Sequence, residues 1–202
     1  MPNWIANRLT IECDAKRLDE VLAYLKGDNG VIDFNSIKRM PLELDVTDCS
    51  DGSIGLEFVQ SGQTVEEFKK FKGWDTERIQ NSVDLGLQYY SNIKKYGHKT
   101  WYSWCIEHWG TKWNATDPVM DSENEIYFET AWAGVPELMS EVVALFPDVK
   151  FYYVYADEDT GYNTGSGIAE NGELCMTWAS GATPEAMDNY VAAWGFSPND
   201  FE

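Results

Sequence analysis

The chain has few of the residues that most often carry chemistry. Two histidines, His98 and His108, occur in 202 residues, and Cys13, Cys49, Cys105 and Cys175 stand far apart with no Cys-x-x-Cys pair. Structural zinc needs four such ligands gathered in one place, so no metal is expected. Scattered thiols likewise offer no iron–sulfur ligation. Serine hydrolase chemistry lacks its Gly-x-Ser-x-Gly elbow. Gly97-His98-Lys99-Thr100 misses the upstream glycine and the Gly-Lys junction of a phosphate loop, and Gly165-Ser166-Gly167 misses a third glycine and reads as a turn. No cofactor is expected. No apolar run approaches the roughly 18 residues that span a bilayer. Met1-Pro2-Asn3-Trp4 leads straight into a strand pattern, so no signal peptide is expected. The expectation is a cytoplasmic protein with reduced cysteines and no membrane partner.

Positive charge is also scarce: 15 Lys and Arg stand against 34 Asp and Glu, a net charge of −19. The imbalance is uneven. Residues 1–59 hold eleven acids and six bases, residues 60–115 hold six acids and eight bases, and residues 117–202 hold seventeen acids against the single base Lys150. A surface of that sign repels nucleic acid and anionic membranes, so direct nucleic-acid binding is not expected. Lys69, Lys70, Lys72, Arg78, Lys94, Lys95 and Lys99 are the cations that could touch phosphate, and six acids dilute them. The acidity itself has two readings, a solvated face or a surface that meets a basic partner.

What is present is a core. Apolar residues make up 44%, with nine Trp, eleven Tyr and nine Phe, which excludes disorder for most of the chain. Residues 8–13 alternate, with Leu9 and Ile11 on one side, as a half-buried strand. Asp14 caps a helix over 15–26 with Leu18, Val21, Leu22 and Leu25 in one stripe, ended by Gly27 and Gly30. Residues 33–44 read as irregular and 45–62, rich in Asp, Ser and Gly, as loop. Residues 64–109 read as helical: Asp75 is an N-cap, Ile79, Val83, Leu87, Tyr90 and Ile93 form the buried side, and a short helix over 100–109 stops at Gly110. Strands follow over 111–116 and 125–132, the latter with Ile126, Phe128 and Thr130 on one face. A helix begins at Pro136 and runs to 146, and a strand covers 149–155. Residues 162–169 and 173–179 make a hairpin across Glu170-Asn171-Gly172. Thr183 caps a last helix over 184–194.

In order this is α+β: a ferredoxin-like split β-α-β sandwich, an antiparallel sheet with helices on one face, a helical insertion after the first helix, and a C-terminal hairpin plus helix. The whole chain, 1–202, reads as one such domain, with 45–109 as the mostly helical insertion.

Two groups of residues stand out as sites. The acids Asp121, Glu123, Glu125, Glu137, Glu141, Asp157, Glu158, Asp159 and Glu170 are candidate contacts to a partner with a basic surface. Asp157-x-Asp159-x-Gly161 has a faint likeness to a calcium loop but puts glycine where a ligand belongs. The tryptophan-dense stretch offers Trp101, Trp104, His108, Trp109, Lys112, Trp113 and Asn114 as a stacking platform for a small molecule or nucleotide. The alternative is that the same density marks the join between the insertion and its host. On a strand, Trp113 would face inward and leave Lys112 and Asn114 outward. Cys105 and His108 are neighbours on a helix, beside tryptophans that suit a buried structural pair better than a nucleophile and its base.

The motifs Met1-Pro2-Asn3-Trp4 with Asn7 and Leu9, Asp33-Phe34-Asn35-x-Ile37 before Met40-Pro41-x-Glu43-Leu44, Trp101-Tyr102-x-Trp104, Trp109-Gly-Thr-Lys-Trp-Asn114 and Phe128-x-Thr130-Ala131-Trp132 together resemble the YubB-like ferredoxin-fold proteins of phages, plasmids and integrated elements. They span residues 1–132 and differ from that pattern at Ile5 and at Ala133-Gly134. The resemblance implies the fold, a mobile-element origin and a bacterial host cell, and brings no catalytic residues with it. The expected function is accessory: binding rather than catalysis, as an acidic inhibitor of a host nucleic-acid-handling or defence protein, or else as a ligand binder on the tryptophan platform. A metal-dependent enzyme at the acidic terminal hairpin is the remaining class.

Overall fold

The computed structural model describes residues 3–196, apart from the side chains at 69–71; the Met1-Pro2 start of the first motif lies outside. Two compact units emerge: residues 1–39 with 105–202, and residues 40–104.

The first unit is built on a sheet of six strands: β1 (Trp4–Glu12), β2 (Thr116–Ser122), β3 (Glu125–Ala131), β4 (Lys150–Asp157), β5 (Thr164–Glu170) and β6 (Glu173–Ala179). Their order is β2-β3-β1-β4-β5-β6, every neighbouring pair antiparallel. The first four strands are the ferredoxin-like split β-α-β arrangement, and the hairpin β5–β6 widens it. Leu9 opposes both Ile126 and Tyr153, so period-two alternation places Leu9, Ile11, Ile126, Phe128, Phe151 and Tyr153 on one face. All six are buried. α1 (Ala15–Leu25) and α7 (Pro136–Leu145) supply Val21, Leu25, Leu138, Met139, Val142 and Val143 to the same core. Asp14 accepts from the Arg17 N–H at 3.1 Å and caps α1 as expected.

That core holds one polar network. The Tyr153 hydroxyl donates to Asn7 Oδ1 at 2.6 Å and accepts from the Val135 N–H at 2.8 Å. Asn7 Nδ2 donates to the Ile5 carbonyl and to Thr130 Oγ1, each at 2.9 Å, and Thr130 donates to the Ala133 carbonyl. Each donor has an acceptor, which makes polar groups tolerable at zero exposure.

The helices do not all lie on one face. α8 (Pro184–Trp194), capped by Thr183, packs on the opposite side, where Ala6, Ala156, Ala193 and Tyr190 close a second small core. Alanines there let the helix approach the strands. Arg8 fastens it: Nε donates to the Ala193 carbonyl at 2.9 Å while the other end of the guanidinium pairs with Asp121 and Glu125.

Three further expectations are corrected. The strand after α6 (Trp101–Trp109) is 116–122, not 111–116; β2 is an edge strand with two register shifts, and such an edge accommodates Pro118. Gly165-Ser166-Gly167 is not a turn but the middle of β5, where a Cβ on Gly165 would come within 2.7 Å of the Tyr155 ring. The two-residue turn Asn171-Gly172 does form, both residues at positive φ. Residues 33–44, expected to be irregular, contain the short α2 (Phe34–Ile37) and a 3-10 turn at Leu42–Leu44.

The second unit contains α3 (Ser50–Ser61), α4 (Val65–Lys72) and α5 (Thr76–Tyr96). The expected loop at 45–62 is therefore largely helix. Its glycines are there for packing: a Cβ on Gly55 would lie 1.7 Å from the Ser82 carbonyl oxygen, and one on Gly86 2.2 Å from the Gly55 carbonyl carbon. Small residues let α3 and α5 cross with backbones in contact. The buried side of α5 is accordingly Ile79, Ser82, Gly86, Tyr89 and Asn92 rather than the expected Val83, Leu87, Tyr90 and Ile93, and Leu87 and Ile93 are exposed. Arg78, Lys95 and Lys99 pair with Asp51, Glu43 and Asp48 of the same unit.

Candidate ligand site

The end of the sheet where β1 begins and β3 finishes carries a cluster of aromatic rings. Trp4 opens β1, and its ring centroid lies 6.0 Å from that of Trp113. Trp113 sits in a bend before β2, not on a strand, and is exposed rather than inward-facing. Lys112 Nζ lies 4.3 Å from the Trp113 ring centroid and 5.1 Å from that of Trp132. A cation at those distances is attracted to both indole faces.

Trp132 follows β3 at φ 73°, in left-handed backbone. For a bulky side chain this costs on the order of 1–2 kcal/mol. Neighbouring residues hold it there. Its N–H donates to the Asn3 carbonyl at 2.9 Å and its carbonyl accepts from Asn163 Nδ2 at 3.1 Å. Asp157 stands behind both, accepting from Asn3 Nδ2, Asn163 Nδ2 and the Asp159 N–H. The strained residue is held 44% exposed.

The other expected platform residues play packing parts. Trp109 is buried, its Nε1 donating to the Lys38 carbonyl at 2.8 Å and its ring edge-on to Phe34. Asn114 faces inward: its Nδ2 donates to Asp33 at 2.7 Å and its Oδ1 accepts from the Phe34 N–H at 2.9 Å. Burial alone would raise the Asp33 pKa, but bonds from Asn114 and from the N–H groups of Asn35 and Asn29 outweigh it and hold the carboxyl below its ordinary value. His108 is half-buried on α6, and Cys105 is buried there. Trp101 and Trp104 belong to the 40–104 unit, Trp101 edge-on to Tyr102 and Trp104 buried. Sequence reasoning missed Trp4 and Trp132 as platform members. The signal available was the Trp132-Ala133-Gly134 bend directly after a strand.

The nine candidate acids do not converge. Thr10 pairs with Glu125, and Glu170 closes the β5–β6 turn with Glu173, so Asp121, Glu123, Glu125 and Glu170 lie toward one end of the sheet. Asp157, Glu158 and Asp159 lie at the other, and Glu137 and Glu141 are on α7. Asp121 and Glu125 are tied to Arg8, Glu141 to Lys38 and Glu170 to Lys150. Asp157 is not a surface residue at all, being 6% exposed and triply hydrogen-bonded. Of the candidate acids at the surface, Glu123, Glu137, Glu158 and Asp159 form no ion pair with a described residue.

Fold and site together describe a ferredoxin-like α+β protein with a widened sheet and a tryptophan-rich end. Residues 108–197, which contain β2 through α8, match the family model described as the ferredoxin-like domain in Api92-like protein. The crystal structure of protein api92 from Yersinia pseudotuberculosis is similar at a TM-score of 0.46 and 14% identity, covering 91% of this chain and 100% of that one. No curated protein sequence matches. No described helix is long and apolar enough to cross a membrane.

Proposed function

We propose that this protein acts by binding, and that its site is the platform formed by Trp4, Lys112, Trp113 and Trp132. The observation that carries the reading is Trp132: a large exposed ring kept in left-handed backbone by three neighbours beside an ammonium group. Backbone strain that surrounding residues maintain is characteristic of ligand sites. Indole faces accept a planar ring, and Lys112 supplies one positive charge for a phosphate or carboxylate. Glu158 and Asp159, exposed at the same end of the sheet, disfavour a heavily charged ligand. The class that fits is a planar ring bearing about one to two negative charges, with nucleoside monophosphates as the first probes. A ligand that binds only the folded state raises the melting temperature. A nucleoside monophosphate should do so for the wild type and not for Trp113→Ala. Absence of any shift across the four common nucleoside monophosphates and aromatic monocarboxylates would overturn the reading.

A second reading rests on charge. It makes the protein a phage- or plasmid-borne accessory factor whose acidic surface occupies the nucleic-acid channel of a host protein. It is favoured by the one base after residue 116 and by the four acids outside any described ion pair. Capture from a bacterial lysate should then yield a nucleic-acid-handling protein that is lost as salt rises. Equal capture by a variant with Glu123, Glu137 and Glu158 changed to Gln and Asp159 to Asn would sink it.

A further inference from the structure

The two edges of the sheet are treated differently. β2 is blunted by Pro118 and two register shifts, devices that keep an edge from pairing. β6 has neither. It pairs with β5 without interruption over seven residues, carries no proline or lysine, and has no described strand on its outer side. Glu170 and Glu173 close a two-residue turn, so their backbone groups face each other. By alternation, the outward N–H and C=O groups belong to Leu174, Met176 and Trp178.

The two sides of this edge differ in chemistry. Leu174, Met176 and Trp178 share the face that β6 presents with Gly167, and Trp178 is 68% exposed. On the other face a groove of about 680 Å³ runs between β6 and α8, lined by Thr177 and Ser180 and by the exposed acids Glu185 and Asp188. Among the described residues neither acid forms an ion pair.

We infer that β6 docks an extended basic segment of another protein by strand addition. The backbone ladder supplies affinity and the two faces supply selection. Alternate residues of the incoming strand meet the acid-lined groove and the Trp178 side, so the segment that fits alternates Lys or Arg with apolar residues. A second copy of this chain is a poor occupant, since its β6 and α8 bring the same acids. Residues 197–202 are equally unsuited, with Asp200 and Glu202 and no base. The inference rests on the charge-based reading and gives the basic partner a conformation and a place.

The probe is a fluorescent Lys-Val-Lys-Val-Lys-Val-Lys peptide, with spermine as a cation that lacks a backbone. Met176→Pro removes one outward N–H and leaves the bonds to β5 in place. Circular dichroism and melting confirm that it folds, and Trp178→Ala gives a second variant without backbone change. The expected result is peptide binding to the wild type, weakened at least about tenfold in both variants and displaced poorly by spermine. Equal binding by folded Met176→Pro and Trp178→Ala refutes the edge while leaving the charge-based reading alive. No binding of the peptide at low salt refutes both. A wild-type dimer dissociated by Met176→Pro gives the edge to a second copy, and binding seen only after removal of residues 197–202 gives it to the tail. Either result overturns the inference.

Discussion

Gly86→Ala is the sharpest test of how the 40–104 unit is held together. The added Cβ falls 2.2 Å from the Gly55 carbonyl carbon, 2.4 Å from its oxygen and 2.5 Å from the Leu56 nitrogen. Carbon atoms settle at about 3.5–4.0 Å, so α3 and α5 must part by roughly 1.5 Å. The obstructing atoms are backbone, and no rotamer change can relieve them. Overpacking of this kind costs about 1–3 kcal/mol. Separation also strains the Ser82 bond to the Asp51 carbonyl at 2.7 Å and the seat of Tyr89, at about 1 kcal/mol for each hydrogen bond weakened. Alanine returns about 1 kcal/mol in helix propensity. The net expectation is a loss of about 2 kcal/mol, a fall in amide-exchange protection of about thirtyfold across α3 and α5. Gly73→Ala is the control: it sits at φ 64° with nothing within 4 Å of a new Cβ, so it tests backbone strain alone. Protection in Gly86→Ala equal to or above that of the wild type would show that the helices do not cross with backbones in contact.

Trp132→Gly relieves the left-handed strain and removes a platform ring, so melting temperature should hold or rise while nucleoside monophosphate binding disappears; a lower melting temperature with binding intact refutes both roles. Tyr153→Phe leaves Asn7 Oδ1 and the Val135 N–H without their partner in a dry core, and urea denaturation should show a loss of about 1–3 kcal/mol. Asp33 has a lowered carboxyl pKa in the folded state, so its contribution is present above the ordinary carboxylate value and is lost as pH falls through the folded one. Urea midpoints for Asp33→Asn should therefore be lower than the wild type at pH 6 and draw closer to it as acid is added; a constant gap would refute the assignment.

Much of the fold was legible in residues 8–13 and 125–132, whose alternation identifies one buried face without knowledge of any partner strand, and in 149–155, whose β-formers mark a strand. Asp14, Asp75 and Thr183 marked helix starts because a capping side chain bonds to N–H groups two or three residues away. Asn171-Gly172 marked its turn because few residues adopt positive φ at low cost. Such interactions are local, and local interactions can be read from a sequence. The acidity of the C-terminal half was plain as well.

Other features depend on residues distant in the chain. Helix α3 was hidden because its glycines weaken helix propensity, and only the approach of Ser82 and Gly86 makes those glycines an advantage. The buried side of α5 shifts by one residue for the same reason: a tight helix crossing buries Ser82 and Gly86 ahead of larger apolar neighbours. α8 goes to the second face of the sheet because Ala6, Ala156 and Ala193 meet there and Arg8 reaches the Ala193 carbonyl. Of the candidate platform, the sequence by itself determined the density of tryptophan around Lys112. Tertiary structure decided which rings it uses, turning Trp109 and Asn114 into the interior and bringing Trp4 and Trp132 from two other strand ends, because strand register alone sets which ends meet.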